Sequence, residues 1–351
     1  MSLGLFSRPL LVVVGAGGSG KTTLAAGLGL ESARGGARTL VMTFDPSHRL
    51  KDALGVGEEA RGVAMTVNAG TRGRLDVALL DARTTFDRLI RRYATDPTAA
   101  ERIFSNRFYR DLAGNLAGIL EYMAVERLFE VQAEAKYDRI VLDTPPTRQA
   151  LDFLEAPDRI VNFLDSGAVR LALKPWWEGR RGLAGVPMRL AAKGAEELAD
   201  RIIGRQLLRD MVEFFQAFAP LYDGFRERAK EVRTLLRAPA TLFVLVTAPG
   251  EDRIPDAMFF ARKLEEAGHH LGPIVVNQMH PMLPDGLAAP AAFAEGLALF
   301  RFLGERDRHG FDRLSRLLTR HPLIPIPLRP TPPTTLPELA ALGHQLAQAT
   351  G

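Results

Sequence analysis

Short runs of aliphatic and β-branched residues recur along the chain, separated by longer stretches whose apolar positions return every three or four residues. The first pattern suits strands buried on both faces and the second suits amphipathic helices. Their alternation predicts a mainly parallel sheet with crossover helices. The strand candidates are residues 10–14, 39–44, 76–80, 139–143, 241–247, 273–277 and 323–326.

Two stretches break this rhythm. Residues from about 85 to 135 have helical periodicity throughout, and from about 158 to 237 no strand pattern occurs. Within the second, Leu208, Met211, Phe215, Phe218, Tyr222 and Phe225 form a helical stripe, more readily a core face than a ligand site, with Pro220 placed to kink or break it. The expected fold is α/β: a doubly wound, mainly parallel sheet with an inserted α-helical subdomain. We expect one domain over residues 1–351, with about 85–135 and 158–237 supplying the insertion. The segment PLIPIPLRPTPPTTLP at 322–337 reads as an extended loop before a last helix.

Composition changes this picture little. The 351 residues are 46% hydrophobic and 25% charged, ordinary for a globular protein. The net charge of +4 suits an anionic ligand but argues for neither nucleic acid nor a membrane surface. The apolar run at 10–14 is too short to cross a bilayer and leads into glycines, so it reads as a buried strand. No cysteine is present, which removes disulfides, thiolate metal sites and thiol nucleophiles and fits a reducing compartment. The expectation is a cytoplasmic protein with no transmembrane segment and no nucleic-acid partner.

The chemistry begins at GAGGSGKT, residues 15–22, which matches G-x-x-x-x-G-K-[ST] between a strand and a helix. Gly17, Gly18, Ser19 and Gly20 let backbone N–H groups curl around phosphate oxygens, helped by the helix N-terminus. Lys21 would reach the β- and γ-phosphates, Thr22 would ligate Mg²⁺ and Thr23 would donate to the α-phosphate. The plain alternative is a glycine-rich turn with an exposed lysine. Asp143 closes the strand candidate 139–143 and begins DTPPT. A carboxylate there faces the ligand crevice and can hold a Mg²⁺-bound water, or simply cap a turn. Asp45, in FDPSHRLKD, follows another strand and can orient an attacking water or serve as an Asp–Pro turn.

Three segments together resemble the ArsA family of ATPases, which includes arsenite-pump and tail-anchored-protein targeting ATPases. They are GAGGSGKTT at 15–23, DPSHRLKDALG at 45–55 and DTPPTRQALDFLEAP at 143–157. The resemblance implies ATP and Mg²⁺ as cofactors and assigns Asp45 to water activation, Lys21 and Thr22 to phosphate and metal, and Asp143 to the metal shell. It places Asn277, followed by Gln278 in IVVNQ, against the adenine, and matches Pro327 to a segment lining the base. No guanine-reading N-K-x-D or T-K-x-D motif occurs, which agrees with ATP.

The chain also departs from the family pattern. The family loop begins G-K-G-G, and its first lysine touches the partner subunit's phosphates; here that position is Ala16. Loss of a charge aimed at the transition state costs orders of magnitude in rate. Arg148 is a candidate substitute, and Gln149 replaces a switch histidine. With no cysteine, neither a thiolate arsenite site nor a cysteine-held zinc between subunits is available. Seven histidines form no spaced ligand cluster, and His269 and His270, after Gly268, are expected in a solvated loop.

The segment LALKPWWEGRRGLAGVPMRL at 171–190 combines Trp176 and Trp177 with basic residues, suiting a core cover, an apolar client helix or an anionic membrane. The leading expectation is a dimeric ATP-driven switch serving a protein client or membrane-associated partner, as a homodimer or as a heterodimer with an ArsA-like paralogue. The alternatives are a weakly catalytic regulatory subunit paired with a lysine-bearing paralogue, and a positioning ATPase of the MinD or ParA type.

Overall fold

The computed structural model describes residues 4–43, 54–57, 60–94, 97–107, 109, 119–144, 155–162, 165–167, 210, 213–214, 219, 222–284, 286–287 and 290–350. Its strands are β1 (Leu10–Gly15), β2 (Arg38–Thr43), β3 (Ala64–Val67), β4 (Arg74–Leu79), β5 (Arg139–Asp143), β6 (Thr241–Thr247), β7 (Leu271–Met279) and β8 (Leu323–Pro327). They form one sheet in the order β3-β4-β2-β5-β1-β6-β7-β8. Every neighbouring pair is parallel except β3 with β4. All seven strand candidates fall on strands of this sheet. The short edge strand β3 was not expected, and the extended segment at 322–337 begins with a strand before it becomes irregular.

The α-helices are α1 (Lys21–Arg34), α2 (Ala82–Tyr93), α3 (Pro97–Ser105), α4 (Ile119–Ala133), α5 (Tyr222–Arg237), α6 (Ile254–Glu266), α7 (Ala294–Leu317) and α8 (Leu336–Thr350). The chain divides into two compact units: residues 1–81, 128–152 and 234–351 in the first, 82–127 and 153–233 in the second.

The first unit holds the whole sheet. β1 is central, and all six of its residues are buried, which is why its sequence is an unbroken apolar run. Leu11, Val13, Val141, Val244 and Val275 from adjacent strands share one core with Leu24 and Leu28 of α1 and Leu339, Leu342 and Leu346 of α8. α1 and α8 approach closely at Gly27 and Gly343. A Cβ on Gly343 would strike the carbonyl oxygen of Gly27, so glycine is required by contact rather than by backbone angle. This packing fixes α1, and with it the loop that precedes α1.

In the second unit, Phe86, Leu89, Ile103, Tyr109, Tyr122 and Phe225 form a separate aromatic-rich core. Tyr222 and Phe225, the described members of the helical stripe, are both buried in it. Leu208, Met211, Phe215, Phe218 and Pro220 lie outside the described residues, as do Trp176 and Trp177. Inside this core Arg228 Nε donates to Glu126 Oε1 at 2.7 Å, and Tyr122 also bonds that carboxylate at 3.2 Å. Burial raises the Tyr122 hydroxyl well above its ordinary pKa, and the neighbouring Glu126 charge raises it further.

Among the described residues no helix is long and apolar enough to cross a membrane.

Candidate functional site

The loop from Gly15 to Gly20 joins β1 to α1 at the carboxyl end of the central strand, where ligand crevices open in parallel sheets. Its path is set by local bonds. Ser19 N and Ser19 Oγ both donate to the carbonyl of Ala16, at 3.3 and 2.8 Å, and Lys21 Nζ reaches the same oxygen at 3.0 Å. Lys21 is buried, not the exposed side chain of a simple turn. Gly20 precedes α1 in the left-handed region, at φ 91°, and supplies no side-chain cap. The first-turn N–H groups of α1 are therefore directed at the crevice, with the positive end of the helix dipole behind them.

Under the loop lies an oxygen cluster. Thr22 Oγ1 donates to Asp143 Oδ2 at 2.7 Å, and Thr43 Oγ1 donates to the same atom at 2.8 Å. Asp143 is buried at the end of β5, in register with Val13 of β1 and Thr43 of β2. The parallel pairing thus brings the end of β2 and the first turn of α1 to one carboxylate at the end of β5. Thr22 and Asp143 are the pair expected from sequence; Thr43 was missed. Its one signal was a hydroxyl at the carboxyl end of a strand ordered next to the strand of Asp143.

Hard oxygen donors of this kind fit Mg²⁺. Thr22 and Asp143 would hold it, the latter through water, and the ion would supply charge neutralisation to bound phosphate oxygens. Among the described residues no group of three or more His, Cys, Asp or Glu forms an alternative metal site.

Asn277 lies near the end of β7. Its Nδ2 donates to the carbonyl of Ser19 at 2.8 Å, across 258 residues of sequence. A Cβ at Gly20 would collide with the same amide nitrogen. Asn277 therefore braces the loop directly, a contact the sequence does not reveal. Gln278 follows at φ 63°, left-handed backbone that residues other than glycine seldom adopt, beside a register irregularity between β7 and β8. Strained positions of this kind concentrate at binding sites.

A cavity of about 660 Å³ runs from the loop along α1. Gly18, Gly20, Thr22, Thr23, Asn277 and Pro327 all line it. Its size suits a nucleotide. Gln278 borders it and also a second groove of about 920 Å³, which contains His280 and Asp307. Asp307 is fully buried on α7, where its Oδ2 accepts from the backbone N–H of His280 at 3.0 Å and lies 2.7 Å from His280 Nδ1. Arg306 donates to Oδ1 at 2.8 and 3.1 Å. Burial alone would raise the pKa of Asp307, but these donors outweigh it and hold the carboxyl below its usual range.

Asp45, Arg148 and Gln149 lie outside the described residues. One histidine expectation needs correction. His269 is buried, with its Nδ1 3.1 Å from the carbonyl of Leu236 and its ring 4.8 Å from that of Phe243. The turn at Gly268 folds it back under β6; only His270 is exposed.

A mainly parallel α/β sheet with this loop and a strand-end aspartate defines a P-loop nucleoside-triphosphatase fold. The chain belongs to the ArsA family: the family model, described as an anion-transporting ATPase, matches residues 9–295. Among its relatives, the ATPase ARSA1 of Chlamydomonas reinhardtii is 30% identical over 268 residues, covering 65% of this chain and 33% of that protein. The ATPase get3 of Aspergillus terreus is 32% identical over 152 residues, 42% of each chain. The putative arsenical pump-driving ATPase 1 of Aquifex aeolicus is 27% identical over 152 residues, 42% of this chain and 38% of that one. The matches thus span less than half of each of these relatives.

Proposed function

We propose that this chain binds ATP with Mg²⁺ and hydrolyses it as a dimeric, cytoplasmic switch. Its nucleotide state is passed to a protein client or membrane-associated partner through an α-helical subdomain inserted in the nucleotide-binding core. The observation that carries the reading is the Thr22–Asp143–Thr43 oxygen cluster directly beneath a phosphate loop. In this reading Lys21 holds the β- and γ-phosphates and Thr22 and Asp143 hold the ion. Asp45 orients the attacking water, while Asn277, Gln278 and Pro327 border the base. Family membership supports ATP turnover in general, and several relatives are named as ATPases.

The test is steady-state ATP hydrolysis by the purified chain, with and without a chelator and with Asp45→Asn. Mg²⁺-dependent turnover that Asp45→Asn abolishes supports the switch; turnover untouched by either change sinks it.

Ala16 favours a second reading. It occupies the first variable position of the loop, where the family pattern has lysine, and is itself buried. A regulatory subunit would bind ATP alone but turn it over only when a lysine-bearing paralogue is added.

A further inference from the structure

The roles above give Thr22, Asp143 and the loop their tasks and leave the hydroxyl at the end of β2 without one. Thr43 is the last residue of β2 and is fully buried. It is the register partner of Asp143 in the parallel pair, so the two side chains leave the sheet on the same face. Its Oγ1 donates to Asp143 Oδ2 at 2.8 Å, the atom that also accepts from Thr22 Oγ1 at 2.7 Å.

Packing alone does not call for that hydroxyl. Leu40, Val41 and Met42, the residues before it in β2, are apolar and buried. Valine has the branched shape of threonine with no polar atom to bury. The two donors to Asp143 also differ in their footing. Thr22 lies in the first turn of α1, and in the reading above its oxygen must also meet the ion. Thr43 stands in the sheet, where its carbonyl accepts from Leu80 N at 2.8 Å and its β-branched side chain is stiff at χ1. The outer torsion of an aspartate is broad, so one donor would set its carboxylate plane loosely. A second donor fixed in the sheet holds that carboxylate in one orientation, with or without a ligand.

We propose that Thr43 is a positioning residue for Mg²⁺: its hydroxyl fixes the Asp143 carboxylate in the orientation that meets the ion's water. This rests on the reading above in which Thr22 and Asp143 hold the ion. Groups that orient a metal's partners without touching the metal commonly set its affinity by about one to two orders of magnitude. Thr43 therefore acts on how far Mg²⁺ strengthens nucleotide binding, rather than on the hold of the loop on nucleotide alone.

The test measures the affinity of the full chain for AMP-PNP by calorimetry, in saturating Mg²⁺ and again in EDTA. Wild type is compared with Thr43→Val, Thr43→Ala and Thr43→Ser. The ratio of the two affinities is expected to fall about tenfold in the Val and Ala variants. Thr43→Ser keeps the donor and should return the ratio to within about threefold of wild type. Thermal melts in EDTA show which variants are folded; should one variant without the hydroxyl fail to fold, the other carries the comparison. An unchanged ratio in the variants that lack the hydroxyl overturns the proposal, and so does a Ser variant that loses as much as Val. Equal weakening in Mg²⁺ and in EDTA leaves the ratio unchanged and marks Thr43 as a packing residue only. If wild type gains nothing from Mg²⁺, the assignment of the ion to Thr22 and Asp143 itself fails, and the proposal falls with it.

Discussion

Thr22 and Asp143, 121 residues apart in sequence, share a hydrogen bond of 2.7 Å beneath the phosphate loop. The loop therefore reports directly on the end of β5, and a change at either residue alters the charge and geometry presented to a bound phosphate. Asp143→Asn keeps the size but removes the negative charge and converts one oxygen to a donor. Hydrolysis should fall by at least about 100-fold, with a right-shifted Mg²⁺ dependence. Steady-state rates across a Mg²⁺ titration provide the check. Thr22→Ser, which retains the hydroxyl, should lose much less than Thr22→Ala.

Asn277 braces the loop through the carbonyl of Ser19. Removing that amide in Asn277→Ala releases a bond of about 0.5–1.5 kcal/mol. Nucleotide affinity should drop by roughly tenfold or less, and hydrogen exchange at the Ser19–Thr22 amides should quicken. Unchanged exchange would mean that the brace does not order the loop.

Gly343 on α8 faces Gly27 on α1 without room for a Cβ. Gly343→Ala should destabilise the protein by about 1–3 kcal/mol, because two helices must separate to admit a methyl group. Urea unfolding of the variant measures it. A neutral or stabilising result would show that α8 shifts freely.

The buried carboxylate of Asp307 has a lowered pKa, so its contribution to stability is fully present above the ordinary carboxylate range. It is lost as pH falls through the still lower folded value. Wild type should therefore exceed Asp307→Asn most clearly near neutral pH, and the gap should narrow as the solution is acidified below about pH 4. Paired thermal melts across that range test the sign.

Much of this site is legible in the sequence because its chemistry is local. The loop needs eight consecutive residues, and Lys21, Thr22 and the strand before them all follow from that short spacing. Asp143 is legible as the polar end of an apolar run. What escaped depends on pairing between distant segments. Thr43 meets Asp143 only because β2 and β5 are neighbours in register, and Asn277 meets Ser19 only because β7 ends beside the loop. The edge strand β3 is four residues long and only half buried, so AMTV carries too little apolar pattern to stand out. His269 was misjudged for a related reason. A histidine after a glycine reads as solvated until the turn is known to return it beneath β6.

In the proposed function, this loop and its oxygen cluster bind and cleave ATP with Mg²⁺. Parallel assays of Mg²⁺·ATP binding and phosphate release by the purified full chain, wild type against Asp143→Asn, test it most directly. Wild type should bind Mg²⁺·ATP and release phosphate, while the variant, folded and of similar melting temperature, should release at least about 100-fold less. Wild-type protein that binds no nucleotide, or a variant that hydrolyses at the wild-type rate, would contradict it.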